Sequence, residues 1–344
     1  MNLVKKNSKY IIMILIVSIF AYTIIFKGNF SIIIDAIREC NYGYVSLCAC
    51  MALAYYLLDA VSITLYTRIY ERTYSFFKGL VIAFISPFFN GITPFASGGQ
   101  VAQVYVFNKQ GIDTSTSIGI MLMHFIIYQS ALVLYTAGIL ILQFQYFKSN
   151  FTELFFLGII GFIANFSVIT ALLCGALSAR FQKFVVDVIF KFGHSLHLIK
   201  DYDKQVEKYT LQLADFREKL KLLFEHKQIL LTSLLINVVR LSIIYMVPYY
   251  AFQALHIDTS SVRFYVFIGV TSFIAMMTSF IPIPGASGGS EGLFTTMFGL
   301  LFGNSQSRLA MLVWRFVTYY LMMFVGFFTF LYSENKYSKK EEKA

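Results

Sequence analysis

Long, almost uncharged apolar runs alternate with short polar segments along this chain. Six runs, at about 10–26, 43–67, 114–142, 153–178, 229–254 and 308–331, are each long enough to cross ~30 Å of hydrocarbon as a helix. Two further stretches, about 76–110 and 264–302, are broken in the middle by Pro and Gly. Each is too long for one crossing, and each half, at about 14–18 residues and 1.5 Å per residue, is short for a full one. The pattern predicts an all-α integral membrane protein with six full spans and two Pro/Gly-broken re-entrant hairpins, forming one polytopic domain over 1–344. No small-residue cleavage site follows the first run, so it is expected to be a span and not a cleaved signal peptide.

The one sizeable polar region is 179–227. There Tyr202, Val206, Tyr209, Leu213, Phe216, Leu220 and Leu223 recur at spacings of 4 and 3, the signature of an amphipathic helix with a narrow apolar seam. The seam spans about three heptads. Its partner is a neighbouring helix, the membrane surface or, as a coiled coil in a homodimer, a second copy of the chain. Before it, Phe181, Phe184, Val185, Val188, Ile189 and Phe192 suggest a second, interfacial helix.

Charge fixes the expected orientation. With both termini cytoplasmic, the inside segments hold 21 Lys and Arg, whereas the outside segments hold five: Lys27, Arg38, Lys148, Arg263 and Arg308. That bias predicts an N-in, C-in topology. The first broken element then enters from the cytoplasm and returns to it, and the second enters from outside and returns outside. The halves 43–142 and 229–331 become inverted copies. Full crossing by all four half-segments has the same parity and stays open.

Composition narrows the function classes. Apolar residues make up 58% of the chain and charged residues 13%, with a formal net charge of +10. The basic residues sit beside spans, where they act as topology signals and attract anionic headgroups, so no nucleic-acid partner is expected. The four cysteines, Cys40, Cys48, Cys50 and Cys174, show no metal-ligand spacing, and no nucleotide, zinc-protease or serine-hydrolase motif is present. Neither a metal nor a cofactor is expected.

The most informative feature is a repeat. Residues 94–100 read Pro-Phe-Ala-Ser-Gly-Gly-Gln and residues 284–290 read Pro-Gly-Ala-Ser-Gly-Gly-Ser. Four of the chain's five prolines, Pro87, Pro94, Pro282 and Pro284, fall at these two places, where each is expected to stop a helix. Irregular backbone at membrane depth survives only inside protein or beside a polar cavity. A helix restarting at Ser97-Gly98-Gly99 or Ser287-Gly288-Gly289 offers backbone N–H groups suited to an anion such as phosphate. Paired, interrupted segments in inverted halves point to a midplane transport site.

Ionisable residues in spans mark interior paths. Asp59 and Arg240 occupy equivalent spans of the two halves, which suggests that they pair. Glu291 lies in the first turn after the second Ser-Gly-Gly, where it either caps the helix or holds a cationic group or a proton. Gln100 and Gln103 supply neutral hydrogen bonds in the first copy, and Arg315 in the last span is a candidate phosphate ligand. Asn90, His124, Gln129, Asn165 and Asn237 line a cavity or join helices.

Three segments carry a family resemblance. Thr93 to Gln100 with Gln103-Val104-Tyr105 and Lys109-Gln110-Gly111-Ile112 resembles the first signature of the lysylphosphatidylglycerol synthase transmembrane-region family. Pro282 to Gly292 resembles the second, and Trp314-Arg315-Phe316-Val317-Thr318-Tyr319-Tyr320 is similar to its Arg-containing C-terminal span. The resemblance covers nearly the whole chain. In the multiple peptide resistance factors this region is a flippase for aminoacylated phosphatidylglycerol made by an attached aminoacyltransferase domain. The present sequence stops at Ala344 without such a domain, so a stand-alone member is expected.

The resemblance implies a lipid flippase in a bacterial plasma membrane, with membrane phospholipid as its partner. It also leaves open an alternative: a phosphatidylglycerol lysyltransferase, or an accessory subunit working with a separate aminoacyltransferase. The substrate-binding residues expected are Ser97, Gly98, Gly99, Gln100, Gln103, Ser287, Gly288, Gly289, Glu291, Arg240, Arg315 and Asp59.

Overall fold

The structure, a computed structural model, describes residues 38–181, 184, 214, 217–218, 220–279 and 281–341. The run at 10–26 and most of the two amphipathic helices expected in 179–227 lie outside the described residues. Among the described residues every regular element is helical. Helix α1 spans Tyr42–Tyr70. Helices α2 (Phe76–Ile92) and α3 (Gly98–Lys109) are the arms of the first broken element, joined by a 3-10 turn at Pro94–Ala96. Next come α4 (Thr114–Leu142), a short α5 (Phe144–Asn150) and α6 (Thr152–Leu177). The second half repeats the plan with α7 (Lys227–Ala254), then α8 (Phe264–Thr278) and α9 (Gly289–Phe302) around a 3-10 turn at Pro284–Ala286. The chain continues through α10 (Asn304–Arg315), a π turn at Phe316–Tyr320 and α11 (Leu321–Glu341).

Five helices are long and apolar enough to cross a membrane: Tyr42–Tyr70, Thr114–Leu142, Gly158–Gly175, Lys227–Ala254 and the continuous run Asn304–Tyr337. They coincide with five of the six expected spans. Two of them start with ordinary side-chain capping: Asn41 accepts from Gly43 N at 2.9 Å and Asp113 from Thr116 N at 3.0 Å. Inside the helices hydroxyls return to the carbonyl four residues back, as for Thr64 to Ala60 O (2.7 Å) and Thr271 to Phe267 O (2.7 Å). Such back-bonding satisfies polar groups where water is excluded.

The break in the first copy differs from expectation. Helix α2 runs through Pro87 and ends only at Ile92, so Pro94 begins the turn and Pro87 does not stop the helix. Proline removes one backbone donor, a loss a buried helix tolerates when its neighbours pack around it. In both copies the turn has the same backbone. Phe95 and Gly285 have φ of 56° and 62°, and the alanines that follow, Ala96 and Ala286, have φ of 49° and 52°. The repeat seen in the letters is therefore a repeat in conformation as far as the alanines; the copies part at the serines, Ser97 being helical with ψ of −20° and Ser287 extended with ψ of 141°.

The final helical run serves as a ruler for the two hairpins. At 1.5 Å per residue its Asn304 and Glu334 lie roughly 45 Å apart. The base of the first hairpin sits at the far end. There Lys109 Nζ meets Glu334 Oε1 at 2.9 Å, Gln110 Nε2 donates to Tyr337 Oη at 3.3 Å, and Gln110 also bonds Lys78 O at 3.2 Å. The two arms thus begin and end together. The base of the second hairpin sits at the near end, where α9 runs into Asn304 and Phe302 packs on Phe267 with ring centroids 5.4 Å apart. The tips meet near the middle. The two 3-10 turns touch each other. Tyr319 Oη donates to Gly91 O at 2.9 Å, and Arg315 Nη2 donates to Gly285 O at 2.7 Å. The ends of the two broken elements thus lie at opposite ends of one helical run, and their turns meet beside its middle.

Close approach of the backbones makes this possible. A Cβ at Gly326 would come within 2.8 Å of Phe84 O, so α11 lies directly against α2. Each half has its own apolar cluster. Ile63, Tyr66, Ile82, Phe107 and Met123 belong to the first, which also buries Leu220 and Leu223 from the end of the seam expected over 202–223. Phe252, Phe267, Phe273, Phe294 and Phe298 belong to the second.

Candidate functional site

Between these clusters the equivalent helices α1 and α7 pack along their length, and the ionisable residues expected to pair do so. Arg240 Nη1 lies 2.5 Å from Asp59 Oδ1, with both side chains almost fully buried. His124 Nε2, from α4, faces the same carboxylate oxygen at 2.7 Å. Asn237, one turn before Arg240, accepts from its Nη1 at 2.9 Å. The guanidinium stacks over Tyr55 at 4.2 Å and stands 5.4 Å from Tyr128, so rings and carboxylate share the desolvated cation. Arg240 Nε is buried and makes no hydrogen bond among the described residues.

This triad forms one wall of a cavity of about 400 Å³. Gln100 and Gln103 from α3, Ser86 and Asn90 from α2, and Thr278 and Ser279 at the end of α8 supply further polar wall. Phe95 and Ala96 bring the first turn to its edge. Gln103 is buried and donates to Ile82 O at 3.1 Å, while Gln100 is exposed to the cavity. A polar chamber lined by both hairpins at the depth where their tips meet gives the broken backbone a reason to exist.

The expected site residues separate into two groups. Asp59, Arg240, Gln100 and Gln103 meet at the cavity. Glu291 and Arg315 do not line it but bind each other, with Arg315 Nε 2.6 Å from Glu291 Oε1. The other oxygen, Oε2, accepts from Gly288 N at 2.7 Å and from Ser290 Oγ at 3.0 Å. Glu291 therefore caps α9 and holds Arg315, and Arg315 spans to Gly285 O with Tyr319 packed 4.5 Å from its guanidinium carbon. This clamp fixes the second tip, with Arg315 just before the π turn and Tyr319 within it.

Of the glycine N–H groups expected to await an anion, those of Gly98, Gly99 and Gly288 are occupied, the last by Glu291. Gly98 N donates to Thr93 Oγ1 at 2.8 Å and Gly99 N to Asn90 Oδ1 at 2.9 Å, so side chains at the end of α2 cap α3. Ser97 is exposed and bonds Pro94 O, while Ser287 and Gly289 are half-buried at the second tip. Of the helix-joining residues, Gln129 donates to Asn165 Oδ1 at 2.6 Å, and Asn165 reaches Met276 O at 3.2 Å, tying α4, α6 and α8 together.

Sequence reasoning missed the aromatic wall of Tyr55, Tyr56 and Tyr128. Its signal was available in the spacing: Tyr55 and Tyr56 precede Asp59 by four and three residues, and Tyr128 follows His124 by four, so each lies on the helical face of its partner.

A family model described as the lysylphosphatidylglycerol synthase TM region matches residues 10–326, which include both turns, the buried pair and the clamp. The chain belongs to that family. A family relative, "UPF0104 membrane protein" from Archaeoglobus fulgidus, is 25% identical over 95% of this chain and 98% of its own length. The family match and the five apolar helices make the chain a multi-pass membrane protein.

Proposed function

We propose that this chain is a flippase that carries a phospholipid or lipid-linked headgroup across the membrane. The observation that carries the reading is the polar cavity of about 400 Å³ at the meeting point of two inverted hairpins, walled by a buried Asp59–Arg240 pair. Headgroup phosphate sits at Arg240, a cationic moiety sits at Asp59, and Gln100 and Gln103 supply neutral hydrogen bonds. The turns Ser97-Gly98-Gly99 and Ser287-Gly288-Gly289 frame the path, and Glu291 with Arg315 keeps the second turn in place. Acyl tails stay in lipid while the headgroup passes. The two halves, 43–142 and 229–331, rock about the site to open it to one leaflet and then the other.

In this reading both hairpins are re-entrant, and N-in, C-in orientation in a bacterial plasma membrane follows from the charges. Arg68, Arg72, Lys78, Lys109 and Lys336 gather toward the first base, against Arg263 and Arg308 toward the second.

Aminoacylated phosphatidylglycerol enters as a substrate through the family description. The same description supports the alternative of aminoacyl lipid synthesis with a separate aminoacyltransferase. Lipid extracts from cells with and without the gene separate the two: loss of an aminoacyl lipid favours synthesis, and unchanged content with altered outer-leaflet exposure favours flipping. The flippase reading is tested in proteoliposomes by the exposure of acyl-labelled phospholipids to a membrane-impermeant quencher. Rates no higher than in protein-free vesicles for every phospholipid tried overturn it.

A further inference from the structure

We propose that a groove between α4 and α6 binds one acyl chain of a phospholipid whose phosphate is held at Lys148. The groove shares no residue with the polar cavity, and the proposal does not depend on the flippase reading. It has a volume of about 210 Å³. Ala137 and Ile141 of α4 and Ile159 and Phe162 of α6 line its sides, and the buried ring of Phe273 from α8 closes it from within. Gly158 makes room for that ring: a Cβ there would lie 2.0 Å from Phe273 Cε2, so α6 passes directly over it.

Chemistry and position together identify the occupant. Among the described residues the lining is apolar throughout, so a polar ligand would gain nothing there. Helix α4 and the stretch Gly158–Gly175 of α6 are apolar and long enough to cross a membrane, and Ile160 and Ile163 beside the groove are exposed. Lipid chains surround such a surface. Apolar contact alone does not favour the groove over bulk lipid, because lipid tails are as apolar as Leu. Shape and the headgroup must supply the preference. The groove ends where α4 turns into α5. Phe144 lines it, and Lys148 is exposed one turn further along the same helical face, roughly 6 Å away along the axis. This end is level with the base of the second hairpin, since Gln143 Nε2 donates to Tyr265 O at 2.9 Å. There Arg263 Nη1 also donates to Tyr265 Oη at 3.1 Å. Tyrosines and cations gathered at the ends of spans mark a membrane interface. A phosphate at Lys148 with a chain running along the groove toward mid-depth is the arrangement of a phospholipid in that leaflet. The chain packs on Phe273, so the lipid braces the first arm of the second broken element against α6.

The test uses the full chain in phosphatidylcholine liposomes doped with phosphatidylglycerol that carries a photoreactive diazirine in one acyl chain, followed by peptide mass spectrometry. Ile160 and Ile163, at the same depth on α6 as Ile159 and Phe162 but outside the groove, are the controls. The expected result is labelling of Ile159 and Phe162 at least about fivefold above the controls, lost in Ala137→Phe, which fills the groove. Diacylglycerol with the same diazirine chain and no phosphate should label the groove about fivefold less, and Lys148→Gln should erase that difference. Lys148 is exposed, so Lys148→Gln keeps the test decisive if Ala137→Phe fails to fold. Equal labelling of groove and control residues overturns the site. Equal groove labelling by the two wild-type-bound lipids overturns the phospholipid assignment and leaves a groove that any acyl chain enters.

Discussion

Arg240 Nη1 and Asp59 Oδ1 lie 2.5 Å apart, and this contact joins α1 and α7, the helices that precede the two broken elements. A single charge at this depth would be expensive, and a matched pair on symmetric helices lowers that cost while keeping both charges beside a polar chamber. Breaking the pair should therefore damage the protein more than exchanging it. Asp59→Ala or Arg240→Ala each leaves a buried unpaired charge and is expected to cost about 3–5 kcal/mol. The measurement is thermal unfolding in detergent. The double exchange Asp59→Arg with Arg240→Asp should recover part of that loss, and a double variant no better than either single one would argue against direct pairing.

The clamp at the second tip makes a separate prediction. Glu291 does two jobs, capping Gly288 N and pairing with Arg315. Glu291→Gln keeps an acceptor for the cap but loses the ion pair, so its melting temperature should fall between those of wild type and Glu291→Ala. Equal melting of the two variants would show that the cap contributes nothing.

Equivalent backbone positions should respond in opposite directions. Phe95 holds φ of 56° with a side chain that is 57% exposed, so Phe95→Gly relieves a left-handed conformation and should stabilise the fold by about 1 kcal/mol. Gly285 holds φ of 62°, and a Cβ there would collide with the Tyr319 ring. Gly285→Ala should destabilise by more than about 1 kcal/mol, since both the conformation and the space are wrong for it. Denaturation of the two variants side by side checks the contrast.

Sidedness is testable with single cysteines in a cysteine-free background. Lys78→Cys and Lys336→Cys, at the base of the first hairpin, should react with an impermeant thiol reagent from the cytoplasmic side. Arg263→Cys and Asn304→Cys, at the base of the second, should react from the opposite side. Labelling of Lys78→Cys and Arg263→Cys from the same face would contradict the inverted arrangement.

Much of this architecture was legible in the letters. Apolar run length located the helices because hydrocarbon thickness leaves few alternatives, and Ala-Ser-Gly-Gly marked both turns because Gly98 and Gly99 are crowded by Thr93 and Asn90 and Gly288 holds φ of 84°. The Asp59–Arg240 pair followed from symmetry plus charge. The fate of Glu291 and Arg315 was not legible, because it depends on where a residue 24 positions further along the chain returns to the tip. Pro87 misled for a related reason: its effect on a helix depends on the neighbours packed around it. The tyrosines around Asp59 escaped notice because, in a chain with 23 Tyr, helical spacing alone does not single out a cavity wall.

The central claim is that headgroups cross through the chamber between the hairpin tips. Gln100 is exposed to that chamber and makes no side-chain hydrogen bond among the described residues, so Gln100→Trp should fill the path without unfolding the protein. The decisive measurement is translocation of acyl-labelled phospholipids in proteoliposomes containing wild type or Gln100→Trp, with equal monodispersity of the two proteins confirmed beforehand. The account predicts fast transfer by wild type and a rate near that of protein-free vesicles for the variant. Transfer by Gln100→Trp at the wild-type rate would contradict it.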